Sequence, residues 1–197
     1  RIIVIEDSSE LQLQQEHVLP WESRPKDKEG KGEFSIRDLV KAALRFRPDR
    51  IVVGECRGGE ALDLLQAMNT GHSGSMATVH ASSPTQTLSR VETLALFAGF
   101  DIPLIAMRGQ VASAIEFIVQ TARLRDGSRK VTHLSEVLPL TDQGAFRTQD
   151  IFRFIQTGID AKGKVLGSMV PTGIKPSFYD DFKAYGIEVP PGFFDAK

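Results

Sequence analysis

Two short runs of β-branched apolar residues constrain the fold of this chain more than any other feature, because each run leads into a carboxylate. Residues 2–5 (IIVI) precede Glu6 and Asp7, and residues 51–53 (IVV) precede Gly54 and Glu55. Such runs are typical of strands buried on both faces of a parallel sheet, and ligands bind beyond the carboxyl ends of these strands. We therefore predict that Glu6 and Glu55 lie side by side at one edge of the sheet, where such a pair can hold a metal-bound phosphate and activate a water.

Strand and helix patterns alternate along the first part of the chain. Ser35 predicts a helix N-cap with Asp38 in the first turn, and Pro48 ends that helix. Further helices are predicted at residues 60–68, 85–97 and 103–116, strands at 50–53 and 76–81, and a loop at 22–33. The alternation predicts an α/β fold with a mainly parallel sheet.

The pattern changes at residue 117. Residues 117–124 and 130–138 predict an antiparallel β-hairpin around Asp126 and Gly127, and residues 146–156 and 164–170 predict further strands before a helix at 177–185. We expect one core domain over residues 1–145 and a C-terminal extension over residues 146–197.

Composition excludes several classes of protein. Lys and Arg total 24 against 25 Asp and Glu, a net charge of -1, so a general nucleic-acid binder is not expected. The single cysteine, Cys56, excludes a disulfide framework and a cysteine metal cluster, and agrees with a reducing cytosol. No apolar stretch reaches the ~20 residues that a membrane span needs.

The chain begins with Arg1 inside a strand pattern, so we expect it to be a fragment of a longer protein.

Charged and polar residues flank the second apolar run and a glycine-containing turn. Arg47 and Arg57 could bind a phosphate with the forked guanidinium. His72 and His80 could donate hydrogen bonds to a phosphate. On these patterns alone the acids could instead cap helices or face water, and the histidines could be structural residues. Cys56 is interpreted as a small core residue beside the site.

These residues resemble the sequence boxes of the type II/type IV secretion ATPase superfamily. Residues 5–7 (IED) are similar to its Asp box, 47–55 (RPDRIVVGE) to its Walker B box and 70–81 (TGHSGSMATVHA) to its His box, in the family's order. Other stretches are similar to the CpaF-like branch, the assembly ATPases of tight-adherence (Flp) pili: residues 10–17 (ELQLQQEH), 29–32 (EGKG), 58–61 (GGEA) and 156–160 (QTGID).

The resemblance implies a RecA-like P-loop NTPase core that assembles as a homohexamer. It implies a motor that binds ATP and Mg²⁺ and hydrolyses ATP to power pilus assembly or protein secretion. The motor would be cytoplasmic, peripheral at the inner-membrane face, and would contact inner-membrane platform proteins of the pilus or secretion machine.

The resemblance also assigns roles to individual residues. Glu6 would orient or activate the attacking water, and Glu55 would help to hold Mg²⁺ through water. Arg47 would sense the γ-phosphate. The candidate nucleotide-binding residues are Arg47, Arg57, His72 and His80.

One element of the family is missing from these residues. No G-x-x-x-x-G-K-[ST] loop occurs in the 197 residues, although such a Walker A loop cradles the phosphates of a nucleotide. The family has this loop upstream of the Asp box, so we expect the fragment itself to be inactive. Two alternatives stay open: a non-hydrolysing scaffold or regulatory relative, and a DNA-translocating ATPase with the same core, which the balanced charge disfavours.

Overall fold

The structure, a computed structural model, describes residues 1–196 and divides into two compact units. The first unit comprises Arg1–Ser82, Gln86–Ile115 and Asp142–Gly144. The second comprises Ser83–Thr85, Glu116–Thr141 and the chain from Ala145 onward.

A four-stranded parallel sheet forms the centre of the first unit. Its strands are β1 (Ile2–Glu6), β2 (Val18–Glu22), β3 (Arg50–Val53) and β4 (Met76–Ala77), in the spatial order β2-β1-β3-β4. The apolar residues at 3–5 of β1 and 51–53 of β3 are almost wholly inaccessible to solvent, as expected for central strands of a parallel sheet. The predicted α/β fold with a mainly parallel sheet is therefore confirmed.

Helices α1 (Ile36–Ala43) and α2 (Glu60–Asn69) connect strands of this sheet, with a short 3₁₀ turn at Leu44–Phe46 after α1. Helices α3 (Pro84–Leu96) and α4 (Leu104–Ala114) follow β4. Helix α1 begins at the predicted cap, where Ser35 and Asp38 satisfy each other's backbone amides in a capping box. The helices bury their apolar faces in the unit's core, which includes Val40, Leu62, Leu65, Leu88, Leu94, Met107 and Val111.

Strand β2 is absent from the sequence-based prediction, and β4 is shorter than predicted. Pro20 lies in the middle of β2 and pairs with Val4, at an edge of the sheet where proline is tolerated. The two-residue strand β4 replaces the strand predicted over residues 76–81. In both cases the extent of the strand depends on its pairing with a buried neighbouring strand, and the local sequence pattern does not show this pairing.

The second unit contains a four-stranded antiparallel sheet. Its strands are β5 (Phe117–Arg123), β6 (Arg129–Leu138), β7 (Arg147–Ile159) and β8 (Val165–Pro171), followed by helix α5 (Tyr179–Ala184). The predicted hairpin is confirmed as β5 and β6. It pairs through β6 with β7, so one sheet crosses the boundary that the sequence predicted at residue 146. The backbone N–H and C=O groups on the outer side of β6 would be unpaired in an isolated hairpin, and β7 pairs with them.

In the part of the chain that the structure describes, no helix is both long enough and apolar enough to span a bilayer.

Candidate active site

Strands β1 and β3 bring Glu6 and Glu55 to the same edge of the parallel sheet. The strands are neighbours, with Ile5 paired to Val53, and both run toward this edge. Gly54 continues the ladder by donating its backbone N–H to the carbonyl of Ile5, at 2.8 Å. The carboxyl ends of the two strands are therefore adjacent, as the sequence predicts, while the chemical roles of the two glutamates stay predictions.

Glu6 is a buried carboxylate held by backbone amides. Its residue is only 6% exposed, and Oε1 accepts hydrogen bonds from the N–H groups of Glu10 (3.3 Å) and Leu11 (3.2 Å). Leu11 also lies 3.4 Å from Oε2. The loop after β1 thus folds back to fix the carboxylate, and Oε2 keeps capacity to accept a further hydrogen bond, for example from a water.

Gly54 makes room for the Glu6 side chain. A Cβ placed on Gly54 would lie 2.7 Å from Cγ of Glu6, which is closer than carbon atoms approach without displacement. The glycine of the G-E dipeptide therefore has a packing reason here, because only hydrogen fits between the two strand ends. This role was not part of the sequence-based prediction.

Glu55 belongs to a network of charged side chains at the same edge. Its Oε2 accepts a hydrogen bond from Nη2 of Arg57 at 2.6 Å, and Nη1 of Arg57 donates to Oδ2 of Asp7 at 3.2 Å. Asp7 also accepts a hydrogen bond from the hydroxyl of Ser23 at 2.8 Å. On the other side of Glu55, Nε2 of His80 lies 3.1 Å from Oε1.

These contacts determine the charge states at the edge. The hydrogen bond and the positive charge of Arg57, and more weakly the charge of His80, lower the pKa of Glu55 although partial burial opposes the shift. In turn, the hydrogen bond to Glu55 and the negative charges of Glu55 and Asp7 raise the pKa of Arg57. Glu55 is therefore an ionised carboxylate at neutral pH.

Asp7 and Glu60 are members of this edge that sequence reasoning missed. Asp7 follows Glu6 and accepts a hydrogen bond from Arg57. This contact becomes apparent only from the register of β1 against β3, which places the end of β1 beside the residues that follow β3. Glu60 is buried, and its Oε1 accepts hydrogen bonds from the backbone N–H groups of Arg57 (2.6 Å) and Gly58 (2.8 Å). Glu60 thus fixes the loop that carries Arg57, as a carboxylate in the first turn of α2.

Arg47 and His72 lie at the opposite edge of the sheet. Arg47, in the left-handed region at φ 49°, precedes β3, and His72 precedes the parallel strand β4. In a parallel sheet, residues before the strands and residues after them occupy opposite edges, and four strand residues span about 13 Å. The structure therefore brings together Glu6, Glu55, Arg57 and His80 but not Arg47 or His72. The nucleotide contacts of Arg47 and His72 stay a prediction.

His72 is partly buried near the end of α2. Its backbone N–H donates to the carbonyl of Ala67 at 3.1 Å, and its carbonyl accepts from the hydroxyl of Ser75 at 2.8 Å. Its Nδ1 is buried and has no hydrogen-bond partner among the described residues. These contacts give His72 a structural place in the turn between α2 and β4.

Cys56 is buried between the site and the core, as the sequence predicts. Its residue is 5% exposed, and burial, reinforced by the negative charges of Glu60 and Glu55, raises the pKa of its thiol to about 12. A thiol of this kind is a poor nucleophile at neutral pH.

Comparison with known proteins places these observations in a family. The family model described as "Type II/IV secretion system protein" matches residues 1–154. A putative conjugal transfer protein of Mycobacterium tuberculosis is 43% identical over 135 residues, which is 68% of this chain and 38% of that protein. The type IV secretion system protein VirB11 of Bartonella quintana is 38% identical over 138 residues, 68% of this chain and 38% of that protein.

A third relative, a probable conjugal transfer protein TrbB of Sinorhizobium fredii, is 38% identical over 125 residues, 64% of this chain and 36% of that protein. The chain therefore spans little more than a third of the length of these relatives.

Solved structures share the fold. The VirB11 ATPase from the Brucella suis type IV secretion system, solved in complex with sulphate, matches 69% of this chain and 40% of that chain with a TM-score of 0.60 and 27% identity. The ATPase DotB of Yersinia pseudotuberculosis matches 72% of this chain and 35% of that chain, with a TM-score of 0.50 and 22% identity, and so supports the fold alone.

Proposed function

Because this chain belongs to the type II/IV secretion system protein family, we propose that it is part of a hexameric ATPase that hydrolyses ATP to power pilus assembly or secretion. The observation that carries the proposal is the carboxyl edge of the parallel sheet, where a buried glutamate, an ionised glutamate and an arginine come together. Phosphoryl transfer needs these parts: a group that orients water, a carboxylate for the metal, and positive charge for the phosphates.

In this proposal Glu6 orients and activates the attacking water. It is buried, fixed by the amides of Glu10 and Leu11, and has acceptor capacity left on Oε2. A fixed carboxylate in a largely water-excluded position suits proton transfer from a single bound water.

Glu55 fits a hydrated Mg²⁺. Among the described residues no group of three or more His, Cys, Asp or Glu side chains could hold a metal ion by itself. Mg²⁺ with a nucleotide does not need such a cage, since it keeps several waters and takes one or two carboxylates plus phosphate oxygens. The carboxylate oxygens of Glu55 and Asp7, which are both paired with Arg57, are potential metal ligands of this kind. When bound, the metal would neutralise charge on the phosphates.

Arg57 and His80 are the proposed phosphate contacts of this subunit. Both side chains are mostly exposed, at 67% and 90%, and can reach a ligand beyond the strand ends. Arg47 and His72 remain proposed contacts from the other edge of the sheet, in a homohexamer with nucleotide between subunits. The remaining partners in the proposal are inner-membrane platform proteins, at the cytoplasmic face of the membrane.

The phosphate-cradling loop must come from residues outside this sequence. No G-x-x-x-x-G-K-[ST] loop occurs in the 197 residues, and the relatives are more than twice as long as the matched part. We therefore expect the 197-residue chain to bind ATP weakly and not to turn it over, whereas the complete gene product hydrolyses ATP.

Two machines are candidates for the motor. The stretches at residues 10–17, 29–32, 58–61 and 156–160 favour a CpaF-like motor of tight-adherence (Flp) pili. Two of the relatives above are named as conjugal transfer proteins, and this favours a conjugation machine as the second candidate. Deletion of the gene followed by assays of surface pili and of plasmid transfer separates the two.

Steady-state ATP hydrolysis by the complete gene product tests the proposed function. Turnover that depends on Mg²⁺ and disappears in Glu55→Gln, but persists in the matched surface variant Glu29→Gln, is the expected result. Absence of turnover in the wild type, with nucleotide bound, would instead support the non-hydrolysing scaffold. Stimulation of turnover by duplex DNA would support the DNA-translocating alternative.

A further inference from the structure

Both carboxylate oxygens of Glu55 are already engaged. Arg57 Nη2 donates to Oε2 at 2.6 Å, and His80 Nε2 lies 3.1 Å from Oε1. The side chain of Glu55 is 22% exposed, so few approaches to it remain. A cation that binds Glu55 therefore competes with the positive charge of Arg57 beside the same carboxylate.

Arg57 neutralises carboxylates from two strands at once. Nη1 donates to Asp7, at the end of β1, while Nη2 donates to Glu55, just after β3. The positively charged guanidinium thus lies between the carboxylates of Asp7 and Glu55, where a divalent cation would bind if it contacted both. Because the Arg57 side chain is 67% exposed, it can leave this position without disrupting the core.

We propose that Arg57 exchanges partners when Mg²⁺ and nucleotide bind: it pairs with Asp7 and Glu55 in the nucleotide-free protein, and with phosphate oxygens in the bound state. This inference rests on the proposed ATPase function and makes Arg57 a positioning residue for Glu55. A metal–nucleotide complex brings a cation for the carboxylates and anionic oxygens for the guanidinium, so no charge is left unpaired by the exchange.

Arg57, rather than His80, is the group that controls Glu55. A guanidinium is charged at every working pH, and its planar fork matches both carboxylate and phosphate oxygens. His80 is 90% exposed and contacts one oxygen only. The backbone N–H of Arg57 is held by Glu60, so the loop stays fixed while the side chain moves.

The first arm of the test measures binding of Mn²⁺ alone, by electron paramagnetic resonance, to the complete gene product without nucleotide. Arg57→Ala and Arg57→Gln should bind Mn²⁺ about tenfold more tightly than the wild type, since a competing positive charge has been removed. Adding Glu55→Gln to Arg57→Ala should abolish the gain. Arg153→Ala, which breaks the ion pair between a mostly exposed arginine and Asp150 in the second unit, is the matched control and should change neither affinity.

The second arm measures the affinity for a fluorescent ADP analogue with Mg²⁺. Arg57→Ala should weaken this affinity about tenfold, because a charged contact to phosphate is lost. Tighter Mn²⁺ binding together with weaker nucleotide binding supports the exchange. Weakening of both, as for a purely structural clamp, or no change in either one, overturns it. Wild-type ATP turnover, measured separately, distinguishes failure of this inference from failure of the proposed function.

Discussion

At the scale of single residues, Gly54 determines whether Glu6 can occupy its buried position. The Cβ of an alanine at this site would approach Cγ of Glu6 to 2.7 Å, and Cγ is too close to the backbone to move away freely. Gly54→Ala should lower the free energy of unfolding by about 1–3 kcal/mol, as for other overpacked sites. Urea unfolding checks this result.

Gly158→Ala is the control for that experiment. Gly158 lies in strand β7, and a Cβ there would meet nothing within 4 Å. The control should change the free energy of unfolding by less than Gly54→Ala does. Equal effects of the two substitutions would contradict the claim that Glu6 needs the space above Gly54.

Cys56 gives a second prediction at the residue scale. Because burial raises the pKa of its thiol to about 12, little thiolate exists at pH values where free cysteine reacts. Alkylation by iodoacetamide should be at least about tenfold slower in the folded chain than in the chain unfolded in urea. Mass spectrometry of timed samples measures both rates, and equal rates would show that the thiol is accessible and ionisable.

The functional residues could be predicted only where their position follows from strand direction. Glu6 and Glu55 each follow a recognisable apolar strand, so their shared edge was predictable. Arg47 and His72 lie in the same sequence boxes, yet they precede their strands and reach the other edge. Asp7 could not be singled out, because the register of β1 against β3 is a tertiary property.

At the scale of elements, the Asp126 carboxylate connects the turn of the β5–β6 hairpin to strand β8. Oδ1 accepts hydrogen bonds from the backbone N–H (3.0 Å) and hydroxyl (2.7 Å) of Ser128, and Oδ2 accepts one from the N–H of Val165 at 2.9 Å. These bonds, led by that of the Ser128 hydroxyl, lower the pKa of Asp126 from 3.8 to about 2.

The stability of the chain should therefore depend on Asp126 in acid. A lowered pKa in the folded state means that the contribution is complete above the unfolded-state value of 3.8 and is lost as pH falls through about 2. Asp126→Asn should lower the melting temperature at neutral pH, and the difference from wild type should shrink between about pH 4 and pH 2. Asp142→Asn, at an exposed position, is the control. A difference that stays constant over this range would contradict the assignment.

The strands illustrate what a local pattern can and cannot predict. β1, β3 and the β5–β6 hairpin have strong apolar runs or a glycine turn, and all were predicted. β2 carries Pro20 and mixed burial, so only its pairing with β1 makes it a strand. Strand β6 pairs with β7 across residue 146, and this pairing joins segments that look separate in the sequence.

At the scale of the whole molecule, the chain belongs to the type II/IV secretion system protein family and shares its fold with a solved VirB11 ATPase. In the proposed mechanism the chemistry takes place at the carboxyl ends of β1 and β3, where Glu6 is buried and positions a water and Glu55 is paired with Arg57 until a cation binds. Because the two glutamates have different partners, their substitution should have different consequences. Glu55→Gln should weaken metal-dependent steps, whereas Glu6→Gln should affect the chemical step alone.

The turnover number of the complete gene product with Glu6→Gln, measured beside its affinity for ATP, tests whether Glu6 activates the attacking water. We expect kcat to fall by at least about a hundredfold, as for loss of a general base, while the affinity for ATP with Mg²⁺ stays within about threefold of wild type. Unchanged turnover in a folded Glu6→Gln variant would show that Glu6 does not have this role.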